Sequence, residues 1–157
     1  MFRFGLGLTA LLFASSAMAD ECSFDRIDLR GDWGQAAFTV EIADTGELRS
    51  QGLMHRPSMA RQNGMFFIFD RPRSAAFWMR NTLIPLDMLF VTKDGVVDRI
   101  HENAVPLDET PIFGGDEIMY VLEINGGLSA LYGMTAGTQI RHPSIPEESA
   151  IWGCLEK

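Results

Sequence analysis

The sequence is poor in the residues that most often betray a function. It has two cysteines and three histidines in 157 residues. Cys22 and Cys154 lie far apart and lack the C-x-x-C spacing of redox or thiolate-metal pairs. His55, His101 and His142 show none of the short spacings of a compact metal site. Basic charge is scarce: 13 Lys+Arg stand against 21 Asp+Glu, a formal net charge of −8. That balance disfavours nucleic acid and anionic membrane surfaces as partners. Beyond the N-terminus no apolar run approaches the roughly 20 residues that a membrane-spanning helix requires. No internal repeat or low-complexity linker divides the chain, and no motif calls for a cofactor.

What is present begins with an export signal. Arg3 supplies a positive start, Phe4 to Phe13 is an apolar stretch too short to span a bilayer, and Ala17-Met18-Ala19 has the small-x-small pattern of a cleavage site. Residues 1–19 are therefore expected to be removed, leaving residues 20–157 as one soluble domain, periplasmic or secreted. In an oxidising compartment Cys22 and Cys154, one near each end of that domain, are expected to pair. Closure of so long a loop stabilises a fold by up to about 4–5 kcal/mol.

Alternation of Ala36, Phe38, Val40 and Ile42 predicts a half-buried strand. Asp44 and Glu47 have capping-box spacing, which predicts a helix of about three turns ending near His55, before Pro57. Met65-Phe66-Phe67-Ile68-Phe69 is short and wholly apolar, a strand buried on both faces. Arg71-Pro72-Arg73 reads as a break, and Ala76 to Asn81 as a further strand. Lys93-Asp94-Gly95 between Asp87–Thr92 and Val96–His101 is a hairpin signal. Glu102 to Asp116 reads as loop, Ile118 to Ile124 as strand, Leu128 to Tyr132 as a short helix, and Thr138 to Arg141 as strand. The expected fold is mainly β, a single compact β-sandwich or partly closed barrel with one or two short helices.

Three motifs are look-alikes. Gly114-Gly115-Asp116-Glu117 resembles a diguanylate cyclase signature, but the chain is too short for that domain and the compartment lacks nucleoside triphosphates. Gly5-Leu6-Gly7 with Ala10 imitates a dinucleotide fingerprint inside the export signal. Gly127-Leu128-Ser129 falls short of a nucleophile elbow.

On a strand, Trp78, Arg80 and Thr82 would share one face and Phe77, Met79 and Asn81 the other, so an aromatic, a cation and a hydroxyl would line up as in a small polar ligand site. Asn81 and Asp87, flanking Pro85, fit equally well as turn-stabilising residues. Met54, His55, Met59 and Met65 crowd one segment, which suits soft-ligand copper binding or the filling of core gaps.

Several motifs recur in an order that resembles the bacterial and archaeal family catalogued as domain of unknown function 192. They are Gly52-Leu53-Met54-His55-Arg56, Gly64-Met65-Phe66-Phe67-Ile68-Phe69, Phe77-Trp78-Met79-Arg80-Asn81-Thr82, Ile84-Pro85-Leu86-Asp87-Met88-Leu89-Phe90, and Val121-Leu122-Glu123-Ile124 with Gly126. The likeness spans about residues 38–140 and implies a compact β-rich fold, often exported, with no established activity. Its polar positions fall on Arg56, Asn81, Asp87 and Glu123. Together with Trp78 and Arg80 these are the candidate ligand-binding residues, with Arg56 expected to hold an anionic group and Trp78 to offer a stacking face. The leading expectation is a periplasmic small-ligand-binding or accessory protein, its partner an unidentified small molecule or periplasmic protein. The alternatives are a hydrolase using Asp87 and Glu123 as a carboxylate pair and a copper or other metal-binding module.

Overall fold

The computed structural model describes residues 22–156; the expected export signal and its dinucleotide look-alike lie outside them. Seven strands form one curled sheet: β1 (Arg26–Gly31), β2 (Gly34–Ala43), β3 (Asn63–Phe77), β4 (Leu86–Thr92), β5 (Val97–Ala104), β6 (Ile112–Asn125) and β7 (Gln139–Arg141). Two short helices, α1 (Gly46–Gln51) and α2 (Leu128–Tyr132), complete the architecture. The spatial order is β5-β4-β6-β3-β2-β1-β7. All neighbours are antiparallel except β2 and β3, which run parallel. The two outer strands approach each other: Val96 bridges Gln139, Val97 N–H donates to Thr138 O at 2.8 Å, and Ile140 N–H to Gly95 O at 2.7 Å. The sheet is thus a half-barrel that nearly closes, the partly closed form of the two expected.

Strand alternation divides the apolar side chains between two cores. The inner one takes residues from all seven strands, among them Leu29, Phe38, Phe66, Leu89, Val97, Leu122 and Ile140, with Leu128 of α2 plugging one end. Each such side chain, fully buried, contributes roughly 1.5–3 kcal/mol. The outer one lies on the convex face of β3, β4 and β6 and includes Met65, Phe67, Met88, Phe90 and Val121, roofed by Leu53, Met79 and Ile84. Met65 to Phe69 therefore serve both faces, as their unbroken apolarity predicts.

Cys22 and Cys154 are bonded, with Cα atoms 5.7 Å apart and a sequence separation of 132. The C-terminal tail they fasten lies across β1 and β7, where Trp152 sits between the guanidinium groups of Arg30 (4.3 Å) and Arg141 (4.6 Å).

Four sequence expectations need correction. The first helix is six residues long, not three turns; its cap is Thr45, whose hydroxyl accepts from Leu48 N–H, and Gly52 at φ 47° ends it before Pro57 is reached. Ala76 to Asn81 is no separate strand, because β3 runs through Arg71-Pro72-Arg73 to Phe77 with shifts of register on either side of Arg73. Proline is tolerated at such an irregularity because no ladder hydrogen bond is required of it. Trp78 to Pro85 is turn and loop. The loop expected over residues 102–116 is narrower, since β5 extends to Ala104 and β6 starts at Ile112. Finally, β1 is an additional strand, with Ile27 and Leu29 facing the inner core. The Gly-Gly-Asp-Glu look-alike is part of β6, where a Cβ on Gly114 would meet the Phe90 ring at 1.9 Å; the glycine is there to let that ring in.

Candidate functional site

Because β2 and β3 are parallel, the chain must leave the sheet after Ala43 and return at Asn63. The excursion, α1 and the loop behind it, arches over the outer face without filling the space beneath. A cleft of about 430 Å³ remains, within the range of roughly 300–1,000 Å³ usual for small-ligand sites. Leu53, Met54, Phe67 and Phe77 are apolar walls, with Thr82 and Glu123 the buried polar members. Trp78 forms an exposed lip, and Arg49 and Arg73 stand at the mouth.

Glu123 lies on β6, the central strand, in a row across the sheet that reads Glu41, Met65, Glu123, Met88, His101. A methionine thus flanks the carboxyl group on each side. Burial raises its pKa to about 8, and among the described residues no neighbouring charge or hydrogen bond counters that shift. Glu123 is 4% exposed. At neutral pH the group is mostly an uncharged acid, which can donate a hydrogen bond into the cleft or release a proton there.

The expected site residues separate. Trp78 and Glu123 line the cleft together, joined by Thr82. Arg56 is on the same face but pairs both guanidinium arms with Glu41, one strand beyond Met65, and does not line the cleft. Arg80 is exposed, with its guanidinium 5.4 Å from the centroid of the Trp78 ring. Asn81 stands outside in a left-handed turn at φ 54°; its carbonyl accepts from His55 N–H at 2.8 Å and its amide donates weakly to Met54 Sδ.

Asp87 has another duty. Its side chain faces the inner core, and its carboxylate accepts from Asn103 N–H, Gly127 N–H, Ser129 N–H and the Ser129 hydroxyl at 2.5–2.8 Å. It clamps α2 to the end of the barrel with every lone-pair direction in use. Asp87 pairs with Ile124 and Glu123 with Met88 across the ladder, which sends the two carboxyl groups to opposite faces of the sheet. The acid–base pair expected of a hydrolase is not formed.

The histidines and methionines are equally dispersed. His142 is buried, its Nδ1 accepting from Ser144 N–H, which leaves Nε2–H to donate to Phe24 O at 3.1 Å; burial lowers its pKa, so it is a neutral structural residue. Met59 and Met65 pack in the outer core, Met54 lines the cleft and His55 is exposed. Among the described residues no group of three or more His, Cys, Asp or Glu converges as a metal site would require.

Arg49, Arg73 and the aromatic wall escape sequence reasoning. Arg49 donates to the carbonyls of Asp44 and Ile68 and lies 5.4 Å from the Phe69 ring; Arg73 lies 5.1 Å from the same ring. No local pattern marks either arginine, and Arg71-Pro72-Arg73 reads only as a break.

Comparison with known proteins places these features in context. The family model DUF192, described as an uncharacterized ACR, matches residues 28–142. A solved structure of a protein of unknown function from Novosphingobium aromaticivorans DSM 12444 is similar, with 43% sequence identity and a TM-score of 0.72 over 73% of this chain and 82% of that one. Another, from Sinorhizobium meliloti 1021 and named a "putative transcription regulator", has 40% identity and a TM-score of 0.72 over 76% of this chain and 94% of that one. No curated protein matches the chain. Among the described residues no helix is long and apolar enough to cross a membrane.

Proposed function

The chain belongs to the DUF192 family, and from that premise we propose that it is an exported small-molecule-binding protein whose site is the roofed cleft on the outer face of the sheet. The observation that carries the proposal is Glu123. A buried ionisable group without a partner weakens a fold, and this one is flanked across the sheet by Met65 and Met88, with Val121 before it on its own strand's face. Its presence is accounted for if a ligand completes its hydrogen bonding. The aromatic and aliphatic walls supply the affinity and the acid the orientation, the usual division of labour in small-ligand sites. The disulfide supports an oxidising compartment, and the N-terminal pattern of Arg3, an apolar stretch and Ala17-Met18-Ala19 supports the route to it.

One preparation tests both parts. Protein purified gently from the periplasm of its own host is expected to start at Asp20 by intact mass and to carry a small molecule in native mass spectrometry. Ala76 is exposed and lines the cleft, so Ala76→Trp blocks the entrance without disturbing a core and is expected to lose that molecule. A ligand retained by Ala76→Trp, or no ligand on either protein, would remove the cleft from consideration.

A further inference from the structure

The mouth of the cleft carries a charge pattern at odds with the rest of the chain. The protein has a formal net charge of −8, yet Arg49 and Arg73 both stand at this opening. The Arg73 guanidinium forms no ion pair or hydrogen bond among the described residues and lies 5.1 Å from the centroid of the Phe69 ring. Arg49 uses one nitrogen, Nη1, on the Asp44 and Ile68 carbonyls, which anchors it and leaves Nε and Nη2 without partners among the described residues. Phe69 lies between them as a common platform. An adjoining groove, lined by Arg49, Phe69, Asp70, Arg71, Arg73 and Ser74, continues outward from this point. Asp70 is the one acid in that lining, and among the described residues it forms no ion pair with Arg49, Arg71 or Arg73.

Opposite this charged mouth lies an apolar interior. Leu53, Phe67, Ala75 and Phe77 are buried or half-buried there, and the hydrogen-bonding groups among them are the Thr82 hydroxyl and the Glu123 carboxyl. The site is therefore polarised: two guanidinium groups outside, hydrocarbon within, and an acid at depth that burial keeps from ionising.

Resting on the reading of this cleft as a ligand site, we propose that it takes an amphipathic small anion. The carboxylate, phosphate or sulfonate head engages Arg73 and the free edge of Arg49, the apolar or aromatic body lies against Phe67 and Phe77, and a hydrogen-bond acceptor at the inner end of the body takes the Glu123 proton. Guanidinium planes suit such heads because they present parallel N–H donors to two oxygens at once. A ligand of the opposite polarity, with its anion at depth, would set a charge beside Glu123 in surroundings that already resist one. A cationic ligand would meet the two arginines at the mouth. The polarity of the cleft thus fixes orientation as well as charge.

Two probes with the same body separate head recognition from cleft binding: 4-(4-acetylphenyl)butyrate and 4-(4-acetylphenyl)butan-1-ol, whose shared ketone oxygen can accept from Glu123, titrated calorimetrically into the mature protein and its variants. The carboxylate is expected to bind about tenfold more tightly than the alcohol, a difference of about 1.4 kcal/mol. Arg73→Gln is expected to remove that advantage, leaving the alcohol's affinity and the melting temperature unchanged. Ala76→Trp is expected to abolish binding of both probes. If the two probes bind alike and Arg73→Gln moves neither, the anionic head is wrong and the cleft reading stands. If both probes bind Ala76→Trp as they bind the unaltered protein, or neither binds at all, the cleft reading falls and the head with it.

Discussion

Both faces of the curled sheet are apolar, yet they are finished differently. On the inner face all seven strands and α2 close around a common centre, and the residues that meet there are almost wholly hydrocarbon. A polar group that faces it, Asp87, is saturated by four hydrogen bonds and serves to seal the end. On the outer face three strands meet a roof that covers them only in part, and an acid sits in the middle with no hydrogen bond or ion pair among the described residues. Packing of the first kind maximises stability. Packing of the second kind gives some stability up, which natural proteins do where a site is needed.

The contrast can be broken by experiment. The largest effect is expected at the disulfide clasp that ties the C-terminal tail across β1 and β7. Cys22→Ser with Cys154→Ser should lower the free energy of unfolding by up to about 5 kcal/mol, as loop-closure entropy predicts for so long a loop. Urea denaturation would read it, and a loss of less than about 1 kcal/mol would mean that the tail contributes nothing to the inner layer.

A slightly smaller effect sharpens the outer side. Glu123 binds its proton more tightly folded than unfolded, since its pKa rises from 4.5 to about 8. Its contribution is therefore fully present below about pH 4.5 and is lost as pH climbs through about 8, at about 1.4 kcal/mol per unit, or roughly 4–5 kcal/mol in all. Glu123→Met, which extends the flanking Met65 and Met88, should flatten that slope and be the more stable protein at pH 8. Parallel pH profiles for the two proteins would show instead that the acid is already accommodated.

The smallest expected difference compares single side chains. Ile124→Val removes one methyl group from the closed interior and should cost roughly 0.5–1.5 kcal/mol. Met54→Leu, on the open wall of the cleft, should stay within about 0.5 kcal/mol. Equal costs would erase the distinction between the layers.

Much of this division was legible in the sequence, though not its meaning. The doubly apolar run from Met65 to Phe69 announces a strand with two buried faces, and Lys93-Asp94-Gly95 marks the hairpin between β4 and β5 because Asp-Gly accepts the backbone that a tight turn demands. Alternation of Ile27 and Leu29 with charged neighbours was also there for β1, but over so few residues it does not rise above the background. The site resists such reading for a physical reason. Sequence spacing tells which residues share a strand face only if they are on a strand, and Trp78 to Pro85 is not on one. The supposed alignment of Trp78, Arg80 and Thr82 dissolves accordingly. Glu123 and Asp87 look equivalent in sequence, and pairing register alone sends one to the cleft and the other to α2.

The parallel pairing of β2 with β3 has a consequence for how such a protein can diversify. A hairpin has no choice of route, but a crossover must travel over a face, and here its path between Ala43 and Asn63 is the roof of the cleft. It is tied down at its margins, by Asn125 donating to the carbonyls of Met59 and Ala60 and by Arg49 to that of Ile68. Sheet register does not depend on what lies between those ties. The roof can therefore be lengthened, shortened or rewritten as a cassette, changing what the cleft admits while the barrel beneath it continues to fold in the same way.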